Sequence, residues 1–519
     1  MKNCGNNKKK KPISNQIPQS FNSSSYELLN VHISALLVDE QKEKVKIKAN
    51  QFGGVPGVTA MIIGLPLFLF YLSYCLTQNH GGTLQNPFTI YFYQYIIDIH
   101  VQVITIHYHI IPILICYILF QVLLAIKLPG RIILGTPIGV NKDGSVKRLD
   151  YILNGFLAYL LTLTIYYIIC YHCHILSPTF LADNFTSLLV TSNILSFIIA
   201  IGISILSYQQ NSSQSISYNV IYDFWMGYIR NPRCFNFDFK FFFEGRPGLM
   251  LWVLFNISFI EKQIQNFDGN YSLSILIITA FQTLFVTDYY YFEEAILTTW
   301  DIMEEKFGLM MIWKKWLVLQ DFNYQKLIFM GNKRDIWNQH AKGDIAFVPF
   351  FFSIQTQYLS LHSPSIQTLP TLYLIICSCL CISGFLLFRI ANLQKHYFSY
   401  DTSYVWCLTC YNCILKVLFG IYRCNTPKYI KTKRGPKLLY SGCWGIVRRM
   451  NLTGDILQSI GWCLLCSFNH FIPYTYIIYL ILCFIHRERR DNEVCQRKFG
   501  SDWKRYTNIV QWRLFPHIY

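Results

Sequence analysis

Charge is scarce in this sequence of 519 residues: 14% are Asp, Glu, Lys or Arg, where a soluble globular chain carries about 25%. That shortage argues against a soluble protein. It also excludes a disordered chain, which needs low hydrophobicity and dense charge. Acidic residues are the scarcer sign, 28 against 45 Lys and Arg, giving a formal charge of +17. The signatures of soluble nucleotide and metal enzymes are missing: there is no G-x-G-x-x-G, no Walker A sequence and no H-E-x-x-H. The apolar runs lack the two-residue alternation of a membrane barrel. Cysteine is present, 18 residues, but too dilute for a secreted disulfide framework. The C-x-x-C spacings at Cys170/Cys173, Cys407/Cys410/Cys413 and Cys463/Cys466 lie mostly in apolar runs without partner ligands. They read as reduced, apolar helix residues, and no metal site is expected.

What is present is hydrophobic: 53% of residues, with 17% aromatic. A helix crossing a bilayer needs about 20 apolar residues. Charge-free intervals of that order run over 58–77, 99–126, 151–182, 184–222, 269–287, 345–388 and 456–486. The interval 345–388 has room for two spans, broken at His362-Ser363-Pro364, and 456–486 for a hairpin of shorter helices about Pro473. A shorter apolar run, 247–260, lies between Arg246 and Glu261. The expected fold class is all-α, a polytopic transmembrane bundle of roughly eight to ten helices. Residues 1–50 read as a disordered, basic cytosolic tail with no cleavable signal peptide, carrying the run Lys8 to Lys11.

Loop charges predict the orientation. The loop Thr77–Thr89 has no Lys or Arg, whereas the next holds Lys127, Arg131, Lys142, Lys147 and Arg148. The loop His172–Asp183 again has none, and its successor holds Arg230, Arg233, Lys240 and Arg246. This alternation follows the positive-inside rule with a cytosolic N-terminus. The basic excess is therefore flanking charge, and no nucleic acid is expected as a partner. Asn184-Phe185-Thr186 falls on the lumenal side as a glycan acceptor sequence.

Polar residues beside apolar runs are costly in lipid and so informative. Asp288, Glu293, Glu294 and Asp301 form one group, with Asp288, Tyr291 and Glu294 spaced to share a helical face. Asn392, Gln394 and Lys395 form a second. Trp444, Arg448, Arg449, Asn451 and Asp455 form a third. His486, Arg487, Arg489, Arg490, Asp491, Cys495, Lys498, Trp503 and Tyr506 form a fourth. Singly, such residues read as interfacial anchors. Together they suit a phosphorylated cofactor entering from the cytosol: cations for phosphates, Trp for stacking, a carboxylate for ribose hydroxyls.

Beyond these patterns, the chain resembles the sterol reductase family, which includes Δ14- and Δ7-sterol reductases and the C-terminal half of the lamin B receptor. The resemblance runs from residue 51 to 519 and rests on ordered blocks. These are Phe52–Gly57 (FGGVPG), Leu153–Tyr159 (LNGFLAY), Tyr222–Arg233 (YDFWMGYIRNPR), Gly245–Gly248 (GRPG) and Glu293–Ile302 (EEAILTTWDI). They continue with Gly343–Leu359 (GDIAFVPFFFSIQTQYL), Phe388–Lys395 (FRIANLQK), Leu438–Asn451 (LLYSGCWGIVRRMN) and His486–Tyr506 (HRERRDNEVCQRKFGSDWKRY). The resemblance implies about ten helices in the endoplasmic-reticulum membrane, a sterol substrate, and NADPH in a pocket formed by the C-terminal helices on the cytosolic side. It maps cofactor contacts onto Lys395, Leu439, Trp444, Asn451, Asp491, Cys495, Lys498, Phe499 and Tyr506. FGGVPG and EEAILTT point to the Δ14 branch. The implied mechanism adds a proton to the alkene and quenches the cation with hydride, the proton coming from Tyr506 or an acid such as Asp288, Glu294 or Asp301.

The chain departs from the family pattern in places. Ser399 stands where an arginine is usual, and the R-H-x-N-Y motif reads Arg448-Arg449-Met450-Asn451-Leu452. Glu304-Glu305 replaces a His-Asp pair, and 314–342 is an atypical basic insertion or a gene-model artefact. Three rival readings stand beside the Δ14 reductase: a Δ7-sterol reductase, a catalytically impaired sterol-binding scaffold and an isoprenylcysteine-type methyltransferase.

Overall fold

The structure is a computed structural model. It describes residues 52–135, 139–140, 146–210, 219–234, 237–299, 302, 305–313, 345–364, 369–400, 427–433 and 437–519. Long helices dominate: α1 (Gly54–Cys75), α2 (Ile90–Thr105), α3 (Ile110–Lys127), α4 (Gly155–Tyr167), α5 (Phe185–Gln210), α6 (Pro247–Asn266) and α7 (Leu273–Tyr291). After them come α8 (Thr371–Tyr400), α9 (Met450–Leu464), α10 (Thr475–Phe499) and α11 (Ser501–Ile509). Among the described residues six segments are long and apolar enough to cross a bilayer: α1, α3, α4 with its π-helical extension to His172, α5, α7 and α8. The chain is a multi-pass membrane protein.

The charge-free intervals locate these helices but misjudge some ends. The interval 99–126 holds parts of two helices, because Asp98 lies inside α2 and accepts a hydrogen bond from Gln94 Nε2 at 2.8 Å instead of ending it. A turn at 106–109 separates α2 from α3. The first half of 345–388 is not a span but two short buried helices, Val348–Phe352 and Ile354–Ser360, split at Ser353. The helix ending at Ser360 breaks at His362-Ser363-Pro364, where the sequence put it, and the turn about Pro473 between α9 and α10 is likewise as expected. The short run 247–260 becomes α6, which starts on Pro247, a residue that needs no backbone donor at a helix start. The all-α expectation also misses four two-stranded antiparallel hairpins, the longest pairing Arg131–Leu134 with Asp150–Leu153. With strands of two to four residues, they are too short to leave a periodic signal.

Buried polar side chains tie the interior of the bundle together. Trp252 Nε1 and Asn256 Nδ2 of α6 both donate to Gln282 Oε1 of α7, at 3.1 and 2.7 Å. Thr356 Oγ1 donates to Asn256 Oδ1 at 2.7 Å. Bonds between helices satisfy groups that lipid cannot. Around them Trp252, Phe285, Phe352, Trp462 and Tyr476 pack as a closed aromatic cluster.

The crossing of α8 and α9 positions the C-terminal residues. A Cβ added at Gly454 would lie 2.5 Å from Phe388 N and 2.7 Å from Gly384 O; one at Gly384 would lie 2.4 Å from Gln458 N. The two backbones touch, as small residues permit between membrane helices. The register runs antiparallel, Gly384 against Gln458 and Phe388 against Gly454. Continued toward the end of α8, it sets Asn392 level with Met450 and Asn451.

Candidate functional site

The end of the bundle where α8 finishes, α9 begins and α10 finishes gathers the C-terminal polar groups. Lys395, near the end of α8, holds its Nζ 4.5 Å from the centre of the Trp444 ring, a cation–π contact. Trp444 is itself fixed to α8: its Nε1 donates to Ala391 O at 2.8 Å, and Cys443 N donates to Gln394 Oε1 at 2.9 Å. Leu439 ends the hairpin strand leading into this segment and packs in the same buried cluster as Trp444 and Met450.

Three cations surround one carboxylate. Arg449 Nη2 lies 2.5 Å from Asp491 Oδ2, and Arg487 Nε, one turn earlier on α10, lies 3.8 Å from it. Lys395 faces Arg449, Arg487, Asp491 and Cys495. Burial would lower the pKa of Arg449, but Asp491, Cys495 and Glu488 outweigh it and hold the guanidinium above its usual value. Tyr506, on α11, closes the floor beside Trp503, the two rings stacked 4.9 Å apart. Burial pushes its phenol well above the ordinary range, while Arg449 and Arg448 pull it down. Lys498 and Phe499 are joined by a cation–π contact at 5.4 Å, and Cys495 packs with Phe499 against Trp503 and Tyr506. The cofactor-site residues named from the sequence all lie among the described residues: Lys395 on α8, Leu439 on a hairpin strand, Trp444 on the short helix Cys443–Ile446, Asn451 on α9, Asp491, Cys495, Lys498 and Phe499 on α10, and Tyr506 on α11. Clustered cations, an indole and buried amides form a donor set that fits a phosphorylated dinucleotide.

The acidic group does not converge in the same way. α7 ends at Tyr291, and a 3-10 turn covers Glu293–Thr298. The expected common face of Asp288, Tyr291 and Glu294 is therefore not formed, and Tyr291 is 69% exposed. Asp288 pairs with Arg389 of α8, whose guanidinium sits 4.1 Å over Phe292. Glu294 pairs with Arg131 at the first hairpin. Glu293 accepts from Gly155 N at 2.7 Å and pairs at 3.2 Å with Arg246, which in turn donates to Asn154 Oδ1 at 2.5 Å. Asp301 lies outside the described residues. Of the described acids, Asp288 is tied closest to the cofactor cluster, since Arg389 precedes Lys395 by less than two turns of α8.

Sequence reasoning missed the buried cations Lys240, Arg246 and Arg389. Lys240 is fully buried and donates to the carbonyls of Ile302 and Glu305 at 3.0 and 2.6 Å. The signal was present, a single basic residue inside or beside an apolar run, but it marks an anchor at a helix end equally well.

Comparison with known proteins adds a family. The ergosterol biosynthesis ERG4/ERG24 family model matches residues 46–330 and 339–519. A Delta(14)-sterol reductase of Dictyostelium discoideum is 35% identical over 479 residues, covering 91% of this chain and 92% of the relative. A Delta(14)-sterol reductase of Methylotuvimicrobium alcaliphilum is 33% identical, covering 88% and 94%. A 7-dehydrocholesterol reductase of Danio rerio is 31% identical, covering 78% of each.

Proposed function

The chain belongs to the ergosterol biosynthesis ERG4/ERG24 family, and from that premise we propose that it is an NADPH-dependent Δ14-sterol reductase of the endoplasmic-reticulum membrane, continuous with the nuclear envelope. The two relatives at 35% and 33% identity, both named Delta(14)-sterol reductase, support the choice of bond. One observation of geometry supports the cofactor assignment: Lys395, Arg449 and Arg487 gather about the carboxylate of Asp491, beside the Trp444 indole. Clustered buried cations beside an indole suit a phosphate-bearing anion.

When bound, NADPH supplies hydride. Lys395 and Arg449 would hold phosphate oxygens through charge-assisted bonds, and Trp444 would offer a flat face. Asp491 keeps the arginines oriented and would accept from ribose hydroxyls. Leu439, Cys495, Lys498 and Phe499 wall the site, and Asn451 contributes a buried amide. The proton must come from a group that carries one. Asp288 is engaged by the guanidinium of Arg389. Tyr506 keeps its proton through burial, and the two arginines facing it would stabilise the phenolate left behind. Tyr506 is therefore the favoured donor, whose phenol would give its proton to one alkene carbon of the sterol. The aromatic interior would keep water from that carbon.

The test is expression in cells lacking their own Δ14 reductase. The accumulated 8,14-diene sterol should disappear, and Lys395→Ala should restore the accumulation by weakening cofactor binding. Persistence of the diene with consumption of a 5,7-diene would move the assignment to the Δ7 bond, which the Danio rerio relative favours. Methyl transfer from labelled S-adenosylmethionine would replace the reductase reading altogether.

A further inference from the structure

Asn392 is a buried amide without a partner. It is 1% exposed, and neither Oδ1 nor Nδ2 has a hydrogen-bond partner among the described residues. Asn451, set level with it across the α8–α9 crossing, is also buried and leaves Oδ1 unpaired. Buried amide atoms are almost always bonded, and leaving one without a partner is costly. Two asparagines orphaned at one level of one helix crossing point to a ligand that completes them.

The chemistry of that ligand follows from what an amide needs. Asn392 presents a donor and an acceptor side by side in one plane. A phosphate offers only acceptors and would leave Oδ1 facing negative charge. A hydroxyl is a single atom and spans the pair poorly. A carboxamide matches it, N–H to Oδ1 and C=O to Nδ2. The placement agrees. Lys395 lies three residues later on α8, on the same face and nearer the helix end. The phosphate cations thus lie toward the mouth of the site, and the amides lie one turn deeper toward the apolar interior.

We infer that Asn392, assisted by Asn451, grips the carboxamide of the nicotinamide and so fixes which edge of the ring enters the bundle. The inference rests on the reading that this site takes NADPH, and it makes Asn392 a binding residue in a position the sequence marked only as polar.

The test is binding to the full chain in detergent, read by fluorescence titration and thermal shift, with two probes. One is NADPH; the other is 2′-phospho-ADP-ribose, which carries the phosphates but no nicotinamide. Asn392→Leu should weaken NADPH about tenfold or more, the worth of one or two lost hydrogen bonds. It should leave 2′-phospho-ADP-ribose unchanged, and the ligand-free variant should melt at or above the wild-type temperature, since two orphaned atoms are removed. The acetylpyridine analogue of NADPH, which lacks the amide N–H, should bind wild type and variant alike. Equal losses for both probes would show a structural role and overturn the inference, as would no loss for either. If the wild type binds 2′-phospho-ADP-ribose but not NADPH, the inference fails while the phosphate site stands. If it binds neither, the functional reading falls first.

Discussion

At the scale of single residues, Asp491 and its cations form an unequal partnership. Removing the carboxylate takes the Asp491 charge from among Lys395, Arg449 and Arg487. Removing Arg449 still leaves Asp491 with Arg487. Breaking a buried ion pair costs about 3–5 kcal/mol when a charge is left uncompensated. Asp491→Asn should therefore lower thermal stability in detergent by most of that amount, and Arg449→Gln by clearly less. Equal losses would show that Arg487, at 3.8 Å, is too distant to compensate. Arg449 itself stands where the family motif has histidine. The sequence marks it as a departure, and the structure sets its guanidinium 2.5 Å from Asp491.

At the scale of elements, the α8–α9 contact decides whether the site assembles. Gly454→Val would drive a side chain into Phe388 N and Gly384 O, an overpacking worth about 1–3 kcal/mol. The variant should melt earlier and bind NADPH less tightly. Gly202→Val on α5, where a Cβ meets nothing within 4 Å, should leave both unchanged. The opposite end of the bundle offers a pH test. Tyr358 Oη and His470 Nδ1 lie 2.7 Å apart, and the His362 ring lies 5.3 Å from that of His470, tilted by 43°. Burial, then His362, holds His470 below its ordinary 6.5. A histidine kept neutral by the fold contributes stability above its unfolded pKa and loses it as pH falls. The melting temperature should drop between about pH 7.5 and 5.5, and His470→Gln should flatten that slope. Helix positions were legible in the sequence because charge is so sparse that each gap in it marks an apolar element. The partners were not. Asp288 and Arg389 stand 101 positions apart and Glu293 and Arg246 stand 47 apart, and no local pattern encodes a pairing of that range. The end of α7 at Tyr291 was hidden too, since the polar residues after it keep a helical spacing without a helix.

At the scale of the whole molecule, the apolar surface is what a bilayer requires. Ile97, Val101, Leu119, Leu123, Ile201 and Leu482 are large and exposed, as lipid-facing side chains should be. Two exposed native cysteines test the orientation. Cys173 lies in the loop without basic residues, and Cys234 in a basic one. With each as the sole cysteine, a membrane-impermeant maleimide should label Cys234 in sealed microsomes and reach Cys173 only after permeabilisation. The reverse pattern would invert the topology. The sequence Asn184-Phe185-Thr186, expected on the lumenal side, is legible as a glycan acceptor, yet it is tied into the fold. Asn184 Nδ2 donates to Phe180 O at 2.9 Å, and Thr186 Oγ1 lies 3.2 Å from Ser73 Oγ. A glycosidase shift on gels is therefore not expected. The backbone-to-backbone seam between α8 and α9 has a mechanical corollary. Two rods fused along such a seam lean together, so a thicker bilayer that changes the lean of one swings its neighbour and every ligand-gripping side chain at their shared tip. Turnover should accordingly respond to acyl-chain length in reconstituted vesicles, even where the sterol is equally soluble in each.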